Sequence, residues 1–123
     1  MQIDKDLNSD YAELFLDVKE FLISELENYV EQITEKYSQN ITTLYGKGFC
    51  SAFGYIKVKD DYIHIGWFLG RKINDKFGLL LGDGKHIRGQ KIKLLDKISK
   101  EAISYYAEQS YILLVEKQAL QSR

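Results

Sequence analysis

Apolar positions in the first third of the chain recur every three or four residues. Between Asp10 and about Tyr37 they form one stripe, which predicts an amphipathic helix. The members of the stripe are Leu14, Val18, Leu22, Leu26, Tyr29, Ile33 and Tyr37. Ser38-Gln39-Asn40 supplies a stop. Unbroken, such a helix would be roughly 42 Å long, so a break around Ser24 is an open alternative.

The pattern changes to a two-residue alternation after Phe49. In the runs Phe49–Lys59 and Tyr62–Leu69, successive side chains point to opposite faces and apolar residues recur at every second position, as in half-buried strands. Asp60-Asp61 between them is a short turn, so we predict an antiparallel hairpin. A third strand is predicted over His86–Leu94. Leu79-Leu80-Leu81 is either a short strand or a tight apolar turn.

The last predicted element is a helix that runs from Ser99, as N-cap, to about Leu120. Its broad apolar face consists of Ala102, Ile103, Tyr106, Ala107, Ile112, Leu113 and Leu114. The order helix, strands, helix indicates the α+β class. We predict an antiparallel β-sheet flanked by a long N-terminal helix and a C-terminal helix, in a single domain that spans residues 1–123.

Composition narrows the class of protein and its location. The 123 residues are 45% apolar, enough for a core, and no run approaches the 18 apolar residues of a membrane span. The acidic, polar start of the chain is unlike a secretory signal. The lone Cys50 forms no internal disulfide and is predicted to be an inert buried thiol. We therefore expect a cytoplasmic protein.

The net charge of −1 hides a strong asymmetry along the chain. Residues 1–40 carry ten acids and three lysines, whereas residues 41–123 carry eight acids against fourteen Lys and Arg. On the predicted first helix one ridge is acidic, and it comprises Glu13, Asp17, Glu20, Ser24, Glu27, Glu31 and Glu35. Carboxylates suit hard or borderline cations, so Glu20, Glu27 and Glu31 are candidate metal ligands. A solvated helix face is the alternative.

The segment from Gly70 to Arg88, GRKINDKFGLLLGDGKHIR, combines glycines with basic side chains. Its glycines can let backbone amides converge on an anion, and Lys85, His86 and Arg88 add positive charge. These three residues are the candidate anion- or ligand-binding residues, although the spacing is not that of a P-loop. In the alternative reading the glycines only serve turns with positive φ, and the cations stay in water.

The same segment carries a family resemblance. The positions concerned are Gly70, Asp75, Gly78-Leu79-Leu80, Gly82, Gly84-Lys85 and Arg88, after Gly66-Trp67-Phe68-Leu69. Over about residues 12–115 they resemble the YdhG-like family, a domain of unknown function. Tyr45-Gly46-Lys47-Gly48-Phe49 also matches, except that Gly48 stands where proline is usual, and the proline that ends the family's first helix is absent near Gln39. The resemblance implies an antiparallel sheet flanked by helices. Through one branch of the family it also implies an iron-chaperone role for the acidic ridge.

The remaining residues argue for binding and against catalysis. His64 lies within a predicted strand, Asp60-Asp61 is a turn, and no spacing pairs Cys50 with a histidine. The overall charge is not basic, and most aromatic residues are at positions predicted to face the core. Both observations argue against binding of nucleic acid. We expect a non-enzymatic carrier of a small ligand or metal ion, with iron as the candidate metal and no required cofactor. The alternative is a protein–protein interaction module, such as a homodimer that joins the acidic helix to the basic turn.

Overall fold

The computed structural model describes residues 11–121, which form two helices and six strands. In chain order these are α1 Ala12–Leu26, β1 Ile33–Ser38, β2 Ile41–Gly46, β3 Ala52–Lys59, β4 Tyr62–Trp67, β5 Leu80–Leu81, β6 Arg88–Ile92 and α2 Lys97–Gln121. A 3₁₀ turn at Gly70–Lys72 follows β4.

The strands form one antiparallel sheet in the order β1-β2-β3-β4-β6-β5. Both helices contact each other and both contact β3, so they cover the same face of the sheet. The predicted α+β architecture, an antiparallel sheet flanked by an N-terminal and a C-terminal helix, is confirmed.

The predicted extent of the first helix is wrong, because α1 ends at Leu26 and residues 33–46 are a β-hairpin. Gln39 and Asn40 form its turn with φ of 53° and 67°, the left-handed pair that suits two-residue hairpins. The error has a geometric cause. Ile33 and Tyr37 are four residues apart, and that spacing places side chains on one face in a strand as well as in a helix.

The predicted hairpin around Asp60-Asp61 is confirmed, since β3 pairs with β4 from Lys59↔Tyr62 to Gly54↔Trp67. A strict two-residue alternation predicts Phe53 and Ile56 on opposite faces, but both are buried in the same core. A register shift against β2 at Leu44/Tyr45 inserts an extra residue, so the period of two is interrupted there.

The remaining elements follow the prediction with small changes. The third strand forms over Arg88–Ile92, and Leu80–Leu81 is a short strand paired with it. The helix α2 begins two residues before the predicted N-cap, Ser99. The backbone amide of Ser99 donates instead to Asp96 Oδ1 at 2.9 Å, so Asp96 is the residue that caps the helix.

The core lies between the inner face of the sheet and the two helices. Its largest fully buried side chains are Trp67, Tyr106, Phe15, Phe53, Leu22, Leu26, Leu44, Ile56, Ile63, Ile65, Ile92 and Ile103. Within residues 11–121, no helix is both long enough and apolar enough to cross a membrane.

The close approach of β3 and β4 at Gly54 predicts a strong effect of one added methyl group. A Cβ at Gly54 would collide with the carbonyl oxygen of Gly66, a backbone atom that cannot move aside. We expect Gly54→Ala to lower the free energy of unfolding by about 3 kcal/mol in urea denaturation. The control is Gly84→Ala, where the nearest heavy atom is 3.6 Å away and little change is expected. Equal stability of the two variants would contradict this register of β3 and β4.

Candidate functional site

The main cleft lies at one end of the sheet. Because neighbouring strands are antiparallel, the end of β2, the start of β3 and the end of β4 lie side by side at this end of the sheet. The helix α2 has 25 residues, about 37 Å, whereas the longest strand has 8 residues, about 26 Å. The last turns of α2 contribute Leu114 and Lys117 to one wall of the cleft.

The cleft has a volume of about 520 Å³ and combines an apolar lining with positive charge. Its apolar lining comes from Tyr45, Ala52, Phe68, Leu69, Ile87 and Leu114. Lys72, His86 and Lys117 are its basic side chains, and the described residues that line it include no Asp or Glu. A smaller recess of about 310 Å³ adjoins it and adds Arg71 and Lys85.

Two hydrogen bonds of Arg71 hold the cationic side of the cleft together. Its backbone amide donates to the carbonyl oxygen of His86 at 2.9 Å, and its Nη1 donates to that of Lys85 at 3.1 Å. These bonds tie the 3₁₀ turn at Gly70–Lys72 to the loop that precedes β6. Lys72 and His86 therefore come to line one cleft although fourteen positions separate them.

Of the three predicted ligand-binding residues, two line the cleft or its recess and one does not. His86 lines both the cleft and the adjoining recess, and Lys85 lines the recess. Arg88 lines neither. Its Nη1 donates to the carbonyl oxygens of Gly84 at 2.6 Å and Ile87 at 2.9 Å. Arg88 therefore closes the loop on which Lys85 and His86 are carried.

The glycines of this segment are required for two different reasons. Gly78 and Gly82 have φ of 69° and 120°, so the backbone needs glycine there. Gly70 does not have positive φ. A Cβ there would lie 2.6 Å from the Cβ of Arg88, so close packing is the reason for glycine at this position.

The three candidate metal ligands lie apart in the chain's structure. Glu20 is on α1, Glu27 accepts a hydrogen bond from the amide of Ile33 at 3.1 Å, and Glu31 lies 3.3 Å from the ammonium of Lys47. The single ridge is lost because the helix ends at Leu26. Among residues 11–121, no group of three or more His, Cys, Asp or Glu side chains is arranged to hold a metal ion.

The thiol of Cys50 is exposed, so the prediction that it is a core residue is wrong. The reason is that β3 begins at Ala52, which leaves Cys50 in the connection after β2, where it lines the cleft together with His86. His64 is half-buried on β4, and its Nε2 lies 3.0 Å from the hydroxyl of Tyr55.

Asp75 organises the segment that leads from the 3₁₀ turn to β5. Its carboxylate accepts hydrogen bonds from the amides of Gly78 at 2.9 Å and Leu80 at 3.0 Å, and from the hydroxyl of the buried Tyr106. Burial by itself would raise the pKa of Asp75, but these hydrogen bonds outweigh it and hold the pKa below its usual range. Burial and the bond to Asp75 raise the pKa of Tyr106.

Sequence reasoning missed Lys72, Lys117 and Tyr45 as residues of the cleft. No local signal marks the two lysines, since their positions depend on where a turn docks and how far a helix extends. Asp75 had a detectable signal, because an Asp three residues before a Gly is typical of a turn closed by the aspartate side chain.

Comparisons with models of protein families, with curated proteins and with solved structures find no match to this chain. The geometry of the cleft and of the sheet is therefore the basis for the functional argument.

The hydrogen bonds of Asp75 predict a pH-dependent contribution to stability. Its folded pKa is depressed, so the contribution is complete above its unfolded pKa of about 3.9 and is lost as the pH falls through the folded value. We expect Asp75→Asn to lower the free energy of unfolding by about 2 kcal/mol at pH 7. In urea denaturation the difference from wild type should shrink at pH 3.

The matched control for this experiment is Asp83→Asn, at an exposed position in the neighbouring loop. It should leave the free energy of unfolding nearly unchanged at both pH values. A difference between wild type and Asp75→Asn of the same size at pH 7 and pH 3 would contradict the role of the ionised carboxylate.

Proposed function

We propose that this chain is a binding or carrier protein for a small organic anion, a carboxylate or phosphate attached to an apolar body. The observation that supports the proposal is the cleft of about 520 Å³, in which Lys72, His86 and Lys117 surround an apolar lining. Its volume lies within the range of about 300 to 1,000 Å³ that is usual for small-molecule sites.

The two halves of the proposed ligand match two parts of the cleft. Phe68, Leu69 and Ile87 offer apolar surface, which favours burial of a hydrocarbon or aromatic group. Lys72 and Lys117 come from different elements and can reach one anionic group from two sides. Charge-assisted hydrogen bonds from such groups are about twice as strong as neutral ones, so the anion would set the ligand's orientation.

The other functional hypotheses stay predictions. The iron-carrier role implied by the YdhG-like resemblance relied on Glu20, Glu27 and Glu31 as one ridge, and these side chains lie on different segments. The homodimer hypothesis relied on the same ridge. The small-ligand hypothesis is favoured because the cleft supplies both a volume and a charge pattern for a ligand.

Three ligands with the same apolar tail test the proposal: octanoate, octanol and octylammonium. We expect calorimetric titration to show the tightest binding for octanoate, because its carboxylate meets the cations. Lys72→Met with Lys117→Met should weaken octanoate binding about tenfold, as expected for the loss of a hydrogen bond between charged groups. Binding of octanol should change little in this double variant.

The matched control removes two lysines outside the cleft, as Lys76→Met with Lys97→Met. Octanoate should bind to this variant as it does to wild type. Equal affinity for octanol and octanoate would contradict the anion preference. An unchanged octanoate affinity in the double variant of Lys72 and Lys117 would contradict the assignment of the cleft.

A further inference from the structure

The face of the sheet that points away from the helices has its own chemistry. We call it the outer face and define it by the side chains that alternate with those of the core. Its lysines are Lys36, Lys57, Lys59 and Lys91 in the strands and Lys93 directly after β6, and its rings are Tyr55, Tyr62, His64 and Tyr45, which also lines the cleft. Strand register places these residues together, since His64 is opposite both Lys57 and Lys91.

The outer face is positively charged although the chain as a whole is not. In the described strands, no outward position holds an Asp or Glu. The nearest acids are in the turn between β3 and β4, where Asp61 Oδ2 lies 3.1 Å from the ammonium of Lys93. The acids of α1 lie on the other side of the sheet. The net charge of −1 therefore conceals a face with five lysines, of which Lys93 is paired with Asp61.

Two of the rings lie on the sheet itself because glycines leave room for them. Three ring atoms of Tyr55 occupy the space that a Cβ of Gly66 would fill, and the ring of His64 occupies the space beside Gly89 in the same way. The Tyr55 hydroxyl and His64 Nε2 are 3.0 Å apart, so the two rings form one fixed platform.

The other two rings are each paired with a lysine. The ammonium of Lys91 lies 4.5 Å from the ring centroid of Tyr62, and that of Lys36 lies 4.7 Å from the centroid of Tyr45. Each pair offers an aromatic ring beside a positive charge. A nucleotide offers the complementary pair, a base beside a phosphate.

Burial, with Lys59 and Lys57 nearby, lowers the pKa of His64. Near neutral pH the imidazole is therefore uncharged. It contributes a ring to the platform, and the lysines supply the charge.

We propose that the outer face binds single-stranded nucleic acid without strong sequence preference. Antiparallel sheets can present rings on which unpaired bases stack, while surrounding cations contact the phosphates. Paired bases are already stacked, so a duplex cannot use the rings. The positive charge alone would attract any polyanion, but the rings on the sheet favour a partner with flat, unpaired bases.

The test measures fluorescence anisotropy of a labelled twelve-residue oligothymidylate with the full-length protein over a range of salt concentrations. We expect micromolar binding at about 50 mM salt that weakens as salt rises, since each phosphate contact contributes about 0.7 to the logarithmic slope. A duplex of the same length should bind at least several-fold more weakly.

Two sets of variants separate stacking from charge. Tyr55→Leu and Tyr62→Leu should each weaken binding about tenfold and leave the salt slope unchanged, because each removes a ring and no charge. Lys57→Ala with Lys91→Ala should weaken binding and lower the slope by about 1.4. Thermal melting verifies that each variant is folded, and the half-buried Tyr62 provides the test if the Tyr55→Leu variant does not fold.

The matched controls are Tyr105→Leu and Lys97→Ala with Lys100→Ala, all on α2, on the opposite side of the sheet. They should leave the affinity unchanged. Absence of binding at 50 mM salt, equal binding of the duplex, or equal loss in the control lysine pair would overturn the proposal. Binding of anionic lipid vesicles that is as tight as that of the oligonucleotide, and insensitive to Tyr62→Leu, would also overturn it.

Discussion

The contact on which most of this structure depends is the hydrogen bond from Tyr106 to Asp75. Tyr106 is fully buried in α2 and packs edge-on against Trp67 of β4, with ring centroids 5.9 Å apart. The indole nitrogen of Trp67 donates to the buried Gln90 of β6 at 3.0 Å. Through Asp75 the same chain of contacts reaches the loop before β5. Helix, sheet and loop are thus held by two hydrogen bonds that one aromatic contact joins within an apolar core.

The two faces of the sheet carry different side chains, apolar toward the helices and basic or aromatic on the outer face, although these residues alternate along the sequence. Each strand of the hairpin β3–β4 alternates core residues such as Ile56 and Ile65 with outward residues such as Lys57 and His64. Because the period is two, charges that are spread along the chain gather on one face once the strands align. Between residues 11 and 40, most of the acids lie on α1 or in the connection that follows it. Charge patterning of this kind depends on topology and is not visible in a net charge.

Elements that depend on nearby residues in the sequence could be predicted, whereas elements that depend on tertiary contacts could not. The β3–β4 hairpin and α2 were predicted because alternation, turn residues and helical spacing all lie within a few positions of each other. Residues 27–46 were misassigned, since Ile33 and Tyr37 satisfy both periods and only pairing with β2 decides between them. In the cleft, Lys85 and His86 came from a local glycine-rich turn. Lys72 and Lys117 could not be predicted, because tertiary packing alone brings a turn and a distant helix together.

The 25-residue length of α2 separates the part of the helix that packs in the core from its last turns, which shape the cleft. Its buried residues, from Ala102 to Leu114, anchor it in the core, whereas the exposed Lys117 follows them and lines the cleft. Changes in the length or side chains of the last turns alter the cleft's depth and charge while leaving the anchoring residues untouched. Substitutions after Leu114 can therefore alter the cleft at little cost in stability. In this fold, the end of one helix is the natural point of variation.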